Sequence, residues 1–374
     1  MPTWSDILVE LQQVHQQGPG TIPQGWGPFD FVRRKYIAQL HQLTGRNVIV
    51  YAAKWTQGQV QDPESISITE EDVQGFMEVI HGLNPTLGLD LILHSPGGSA
   101  EVADAIVKYL RSRFTDIRVF IPQAAMSAAS MLSCASNRIV MGRHSFMGPV
   151  DPQFIFHTEN GIQVAPAHAI MEQFRMAQRE CKDPSLLPTW IPILRQIGPG
   201  LIIQCQLATK LSQSLVKEWL ADYMLKGQPR AKQKAARIAR TLANHAAFMS
   251  HGRFIGRDQL RKLGLVVDDL EANQNVQDAV LSVFHACTHS FGATPAVKII
   301  ENHLNKAFVK VQQVMTMQMP AFIPVQPPMM TPQPFPQPPT PLPQRPTQLP
   351  PAPPSSGPPT PTPPTPTPPT AQTP

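Results

Sequence analysis

Two short segments rich in small residues could together form a site for acyl transfer. Ser95–Gly98 reads Ser-Pro-Gly-Gly, and its glycines permit positive φ and a close backbone approach. Ser127 lies in Met-Ser-Ala-Ala, where a predicted helix begins and the first amides have no partner within the helix. Acyl transfer needs a nucleophilic hydroxyl beside amides that stabilise an oxyanion. We therefore take Ser127 as the candidate nucleophile and Gly97, Gly98 and Ala128 as the candidate oxyanion-binding residues.

Packing alone is the competing interpretation of both segments. A Pro-Gly-Gly turn is most often only a turn, and a serine in an alanine-rich helix is usually a packed residue that bonds back to the helix carbonyls. Ser130 offers a second hydroxyl nearby, but it lies one turn further into the predicted helix. The pattern therefore favours Ser127 over Ser130 as a nucleophile without excluding a packing role for either.

The elements around these segments alternate between strands and helices. Four apolar runs have the character of buried strands, namely 47–53, 89–94, 117–121 and 138–141. Helical patterns separate them, which predicts an α/β protein with a mostly parallel sheet covered by helices. The two segments follow the second and third strands. We expect them to lie side by side at the carboxyl ends of these neighbouring strands.

Proline divides the chain into a folded body and a tail. The last 55 residues hold 25 of the 42 prolines, and the preceding 319 residues hold the other 17. We expect an N-terminal helix and linker over 1–29, further helices over 30–43, 274–287 and 296–314, and a C-terminal helix segment over 291–319. Proline fixes φ and lacks an amide donor, so we predict a disordered Pro/Thr-rich tail over 320–374. The tail could bind an SH3-like or WW-like partner or act as a plain spacer.

The overall composition narrows the classes of partner. The net charge is +5, and the basic residues concentrated over 226–240 fit a solvated amphipathic helix without interleaved aromatic residues. We therefore expect no nucleic-acid partner. The four cysteines form no CxxC pair, so we expect buried free thiols, no metal and no cofactor. Neither an apolar run of 18 residues nor a secretory signal is evident, which favours a soluble cytoplasmic protein.

Three motifs give the chain a family resemblance. Leu-Ile-Leu-His-Ser-Pro-Gly-Gly (91–98), Ala-Ala-Met-Ser-Ala-Ala (124–129) and the segment 141–153 resemble the serine dehydrogenase proteinase (SDH) family. This is a family of Clp-fold serine proteinases related to signal peptide peptidase A in the ClpP/crotonase superfamily. The segment 251–265 is similar to the family's late helix. The likeness covers about 45–270.

The resemblance implies a fold, an assembly and a chemistry. It implies a ClpP/crotonase-like spiral of ββα units over 30–290, with a mostly parallel sheet and added helices at both ends. It also implies a homo-oligomer that acts on a peptide or protein substrate. Ser127 would be the nucleophile, and Gly97 and Gly98 would bind the oxyanion together with the amide of Ala128. Peripheral membrane association occurs among relatives and stays open for this chain.

The general base is left open by the sequence. The segment 148–153, which matches the position of the ClpP histidine, contains only Asp151 as a titratable group, and Asp151 could brace a turn or orient a base. Relatives of signal peptide peptidase A use a lysine further along the chain. In that window lie His168 and Lys182, and we favour His168 because it lies at a predicted helix start. His245 and His251 are six residues apart and do not have the spacing of metal ligands on one helix face.

Three functions compete at this point. The leading one is a serine peptidase that works by acyl transfer at Ser127. The second is a catalytically inactive Clp-fold scaffold that recruits partners through its tail, since no base is evident. The third is a crotonase-like enzyme that binds an acyl thioester, although that chemistry needs no serine at position 127.

Overall fold

A computed structural model describes residues 2–312 apart from residues 19, 21, 59, 159 and 160. The predicted Pro/Thr-rich tail over 320–374 lies outside the described residues. The strands of the described part are β1 (Asn47–Ala53), β2 (Leu89–His94), β3 (Ile117–Ile121), β4 (Ala124–Ala125), β5 (Arg138–Met141), β6 (Phe146–Met147), β7 (Gln153–Thr158), β8 (Gly161–Pro166), β9 (Ile255–Gly256), β10 (Val267–Asp269), β11 (Ala296–Asn302) and β12 (Ala307–Val311).

Helices cover both faces of the main sheet. Those described are α1 (Trp4–Gln16), α2 (Pro28–Thr44), α3 (Glu70–Ile80), α4 (Ala100–Arg113), α5 (Ala128–Cys134), α6 (Ala167–Glu180), α7 (Leu187–Leu194), α8 (Leu201–Trp219), α9 (Ala231–Leu242), α10 (His245–Phe248), α11 (Arg257–Leu263) and α12 (Gln274–Ala293). Within the described residues, no helix combines the length and the apolar character needed to cross a membrane.

The main sheet has seven strands in the order β10-β5-β3-β2-β1-β11-β12. Five neighbouring strands, from β10 to β1, run parallel, and β11 and β12 add an antiparallel edge. The four strands expected from the sequence are confirmed, and so is the mixed α/β class with a mostly parallel sheet. Every residue of β1 is buried because helices cover both faces, which explains its continuous apolar run.

Alternate side chains of the strands enter two separate cores. Ile49 and Leu91 pack on the face that α3 and α4 cover, whereas Val50 and Ile92 pack on the face that α2 and α12 cover. The first of these cores also contains α5, α8 and α9. The sheet is therefore the middle layer of a sandwich, and its carboxyl edge is the place where β2 and β3 pass into turns.

The predicted terminal helix over 296–314 is wrong. Residues 296–311 form the antiparallel pair β11 and β12, and the preceding helix ends at Ala293, so the added C-terminal helix over 291–319 is absent from the described residues. Val297, Ile299 and Ile300 are buried on the two faces of β11, as expected for a strand inside a sheet. The N-terminal helices α1 and α2 are confirmed.

A second difference between the sequence-based prediction and the structure is the hairpin of β7 and β8, which the sequence did not predict. Residues 153–158 pair antiparallel with residues 161–166, and the two strands stand apart from the main sheet. Ile155, Ile162 and Val164 are exposed on it. From residue 167 to 248 the chain is mainly helical. The hairpin thus joins the strand-rich part of the fold to its helical part, next to the carboxyl edge of the sheet.

Candidate active site

Backbone hydrogen bonds join the two turns that the sequence singled out. The amide of Ser95 donates to the carbonyl of Ala124 at 3.2 Å, and the amide of Met126 donates to the carbonyl of Ser95 at 3.0 Å. The short strand β4 therefore extends beside the end of β2. This pairing brings the Ser95–Gly98 turn directly beside Ser127.

Gly97 makes this close approach possible. Its φ is +103°, and a Cβ atom on it would lie 2.6 Å from the Cβ of Ser127 and 2.9 Å from the amide nitrogen of Ala128. Real Cβ contacts are never this short, so any larger residue would push the two turns apart. Gly97 is therefore required by the packing of its turn against the start of α5.

Gly98 is confined from the other side. Its φ is +150°, and a Cβ atom on it would collide with the backbone of Ile68. Ile68 also donates its amide to the carbonyl of Gly97 at 2.7 Å and accepts the amide of Ser99 at 3.0 Å. The glycine turn is thus held between Ile68 on one side and Ser127 on the other.

Ser127 has an unusual backbone for a residue with a side chain. Its φ is 50° and its ψ is −120°, and such positive φ values strain a non-glycine residue by about 1–3 kcal/mol. Ser127 occupies the N-cap position of α5, yet its side chain does not cap the helix, and its hydroxyl bonds to none of the described residues. A half-buried serine on a strained strand-to-helix turn is the arrangement that presents a nucleophile.

Ser130 differs from Ser127 in every one of these respects. It is fully buried, its hydroxyl donates to the carbonyl of Ala125 at 2.7 Å, and the same oxygen accepts the amide of Gly148 at 2.9 Å. Both bonds connect neighbouring segments of the core. Ser130 therefore has a structural role, and the hydroxyl that remains open to chemistry is that of Ser127.

The amides beside Ser127 are not equivalent. Gly97 donates its amide to the hydroxyl of Ser95 at 3.1 Å, so this amide already has a partner. Within the described part of the chain, the amides of Gly98 and Ala128 donate no hydrogen bond. The Ala128 amide also lies at the N-terminus of α5, where unpaired amides favour negative charge. Gly97 thus supplies space, and Gly98 and Ala128 supply the two available donors.

A cavity of about 420 Å³ opens over these groups. Ser127, Gly98 and Ala128 line one side of it, and Asp151 and His251 line another. The rest of its lining is mixed: apolar Met131, Val150, Phe154, Ile155, Val164, Ala208 and Leu211 alternate with polar Ser67, Ser99, Glu101, Gln153 and Ser212. The hairpin of β7 and β8 therefore contributes Phe154, Ile155 and Val164 to the lining of the cavity.

Asp151 is the acceptor for two imidazole rings. Its Oδ1 lies 2.9 Å from the Nδ1 of His251, its Oδ2 lies 2.8 Å from the Nδ1 of His245, and Gln153 donates to Oδ2 at 3.2 Å. An ionised carboxylate only accepts, so each Nδ1 carries a proton. Burial opposes the ionisation of Asp151, but the hydrogen bonds and charges of His251 and His245 lower its pKa below the ordinary aspartate value. The Nε2 of a neutral His251 is then free to accept a proton.

The two bases suggested by the sequence lie elsewhere. His168, near the start of α6, lines a separate cavity of about 180 Å³ with Asp151 and His245, and its ring centroid is 5.7 Å from that of His245. Lys182 is exposed just after α6. Neither residue lines the cavity of Ser127.

His251 was missed because it lies 100 residues after Asp151 in the chain. Two features of the sequence relate to His251, but nothing in the sequence connects them. The sequence indicates that Asp151 could orient a base, and the segment 251–265 is similar to the family's late helix. Only the fold brings the two residues together.

Comparison with known proteins identifies the family. The family model described as ClpP-like SDH-type serine proteinase matches residues 31–308. The chain belongs to this family. The family-level conclusion from the sequence motifs is therefore confirmed, and a serine peptidase is the activity that the family supports.

Curated relatives of this SDH-type proteinase include two uncharacterized proteins of Methanocaldococcus jannaschii. One is 28% identical over 233 residues, which are 62% of this chain and 68% of the relative. The other is 36% identical over 86 residues, which are 23% of this chain and 30% of the relative. Among solved structures, a mutant of the 1510-N membrane-bound stomatin-specific protease matches at 14% identity with a TM-score of 0.33, covering 54% of this chain and 74% of that one.

Proposed function

We propose that this SDH-type proteinase cleaves peptide bonds by acyl transfer, with Ser127 as the nucleophile and His251 as the general base. The observation that supports this most strongly is the shared cavity. It is lined by a strained serine whose hydroxyl is unbonded and by an imidazole that a buried carboxylate holds through Nδ1. Asp151 is the group that orients this imidazole.

The first half of the reaction forms an acyl-enzyme. The Oγ of Ser127 attacks the peptide carbonyl carbon, its proton passes to the Nε2 of His251, and a tetrahedral oxyanion forms. When the carbon–nitrogen bond breaks, His251 returns the proton to the leaving amine. In the second half, water gives its proton to His251, its oxygen bonds to the acyl carbon, and the Oγ of Ser127 leaves with the proton.

Backbone amides are the groups proposed to stabilise the oxyanion. Gly98 and Ala128 are the candidates, because both residues line the cavity and their amides donate to no described residue. Removal of one such donor typically costs about 10²–10³ in rate. Gly97 serves the same site by allowing its turn to approach Ser127. This division of roles refines the initial expectation, in which both glycines were donors.

The cavity suits an extended peptide with an apolar side chain near the scissile bond. Met131, Phe154 and Leu211 provide apolar surface within the cavity lining. The inactive-scaffold alternative depends on the absence of a base, and the hydrogen bond between His251 and Asp151 supports a base at this site. Recruitment of an SH3-like or WW-like partner by the tail is a separate proposal that the activity does not require.

A fluorophosphonate probe tests this assignment, because it reacts covalently with an activated serine. We expect labelling of the wild-type protein at Ser127, located by peptide mass spectrometry, and none in Ser127→Ala. We expect His251→Ala to label at least about 10³-fold more slowly. The same variants should lose cleavage of unfolded casein, followed by the release of new amino termini.

Two matched controls separate His251 from the other candidate bases. His168→Gln and Lys182→Met should label within about threefold of the wild-type rate, because neither residue lines the cavity of Ser127. If His251→Ala labels at the wild-type rate and one of the two controls loses labelling strongly, the residue changed in that control is the base instead. Failure of wild-type Ser127 to react at all would favour the inactive scaffold.

A further inference from the structure

A fully buried ion pair lies behind the glycine turn. Lys298 on β11 and Asp72 in the first turn of α3 have side chains with no exposed surface. The Nζ of Lys298 lies 2.7 Å from Oδ1 and 2.9 Å from Oδ2 of Asp72. The hydroxyl of Tyr51, which is also fully buried, donates to the same Oδ2 at 2.7 Å. These three residues form a sealed polar network inside the first apolar core.

Stability alone does not explain this network. Moving two charges out of water is costly, and apolar residues of similar volume are often as stable or more stable in such positions. Burial lowers the pKa of Lys298 below the ordinary lysine value, while Asp72 acts in the opposite direction. Buried ionic groups of this kind can contribute a fixed geometry instead. The hydrogen bonds of the pair show which part of the backbone it fixes.

The ion pair holds the chain on both sides of Ile68. The Nζ of Lys298 donates a third hydrogen bond to the carbonyl of Ser67 at 2.6 Å. The Oδ2 of Asp72 accepts the amide of Thr69 at 3.0 Å. Because Ser67 and Thr69 flank Ile68, both ends of this short segment are tied to one buried pair.

Ile68 in turn supports the glycine turn. It bonds to the carbonyl of Gly97 and to the amide of Ser99, and its backbone lies directly against the α-carbon of Gly98. A shift of Ile68 would therefore move Gly98, which lines the cavity and whose amide has no partner among the described residues. The path from Lys298 to that amide consists of hydrogen bonds and one close backbone contact, without a flexible side chain between Ile68 and Gly98.

We propose that Lys298 and Asp72 are positioning residues for the oxyanion-binding turn, acting through the Ser67–Thr69 segment, with Tyr51 as an auxiliary donor. Neither residue touches the substrate. This inference rests on the proposed function, since it assigns the ion pair to the rate at which Ser127 reacts. It also predicts a purely structural signature, namely protection of the amides of Ile68 and Ser99 from hydrogen exchange.

The main test uses the double variant Lys298→Met/Asp72→Asn, which removes both charges and leaves no unpaired ion. We expect a melting temperature within a few degrees of the wild-type value, fluorophosphonate labelling of Ser127 slower by about 10- to 100-fold, and faster exchange of the Ile68 and Ser99 amides. Tyr51→Phe, which keeps both charges, should slow labelling by a few-fold. If the double variant fails to fold, this single variant decides the matter.

Lys310→Met is the matched control. Lys310 lies on the neighbouring strand β12 and pairs with Glu71 at 2.8 Å in the same first turn of α3, but the pair is partly exposed and has no bond to Ser67. It should label at the wild-type rate with unchanged exchange.

Wild-type labelling and wild-type exchange in the folded double variant, or in Tyr51→Phe if the double variant does not fold, would overturn the proposal. Should wild-type Ser127 not react with the probe, the proposed function fails. The exchange of Ile68 and Ser99 then still decides whether the ion pair holds the turn.

Discussion

Two buried carboxylates lie near the candidate site, and their partners differ in kind. Asp151 lines the cavity, and Asp72 lies behind the glycine turn. Asp151 is 3% exposed and accepts from two imidazoles that are 17% and 26% exposed, at His245 and His251. Asp72 is sealed completely, and so is its partner Lys298. His251 lines the cavity, whereas the ammonium of Lys298 donates its hydrogen bonds to Asp72 and Ser67.

The comparison shows that the exposure of its partner determines the role of a buried carboxylate. A partner that opens into a cavity can exchange a proton with a bound substrate, so its carboxylate contributes to chemistry. A sealed partner can only fix the position of the backbone around it. We therefore expect substitutions at Asp151 to act mainly on rate and substitutions at Lys298 to act first on stability.

The largest effect on rate should follow Asp151→Asn. The amide cannot stabilise a charged imidazole, and its NH₂ group favours the wrong tautomer of His251. We expect fluorophosphonate labelling of Ser127 to slow by about 10³- to 10⁴-fold with little change in melting temperature. A labelling rate within tenfold of the wild-type value would mean that Asp151 only braces its turn.

The next largest effect should be the loss of stability in the single variant Lys298→Met. It leaves Asp72 charged, buried and without its cation, which typically costs about 3–5 kcal/mol. Urea unfolding should show most of this loss restored in Lys298→Met/Asp72→Asn. If the single and double variants are equally stable, the two buried residues are not energetically coupled.

A smaller effect is expected from His245→Gln. Asp151 would keep its bonds to His251 and Gln153, so labelling should slow by less than about tenfold. Comparison with His251→Ala in the same assay sharpens the distinction between the two imidazoles. A loss in His245→Gln as large as that in His251→Ala would show that the second imidazole is needed for the reaction itself.

The smallest effect concerns stability in acid. The folded protein holds the pKa of Asp151 below the ordinary aspartate value of 3.8, so the carboxylate stabilises the fold above that pH. This contribution is lost as the pH falls through the folded-state pKa. Urea unfolding between pH 4 and pH 2 should therefore show a steeper loss for the wild-type protein than for Asp151→Asn. Equal slopes would contradict the lowered pKa.

Local patterns in the sequence are enough to predict one half of the proposed site, namely the glycine turn and Ser127. The glycine turn and Ser127 each follow a strand whose apolar run is continuous, and parallel strands bring their carboxyl ends together. The other half required contacts across the chain. The pairing of Asp151 with His251 spans 100 residues, and no local pattern distinguishes His251 from a surface histidine.

The strand β11 was misread for a related reason. Lys298 and Glu301 are three residues apart, as on the polar face of a helix, but both are buried in ion pairs on opposite faces of the sheet. Lys298 meets Asp72 on one face, and Glu301 meets Arg33 and Arg34 of α2 on the other. In a periodicity analysis, charged residues are assigned to the solvent-exposed face of an element. Buried charges three residues apart therefore make a strand resemble an amphipathic helix.

The position of β11 late in the chain has a consequence for the protein as it is made. During translation, Ser127 and His251 leave the ribosome before Lys298 does, and domains generally begin to fold from the amino-terminal side. A nascent chain can thus have its nucleophile and imidazole while the support behind its glycine turn is still unsynthesised. On the proposed assignment, the glycine turn gains its support from Lys298 only after the edge strand of the sheet has been synthesised.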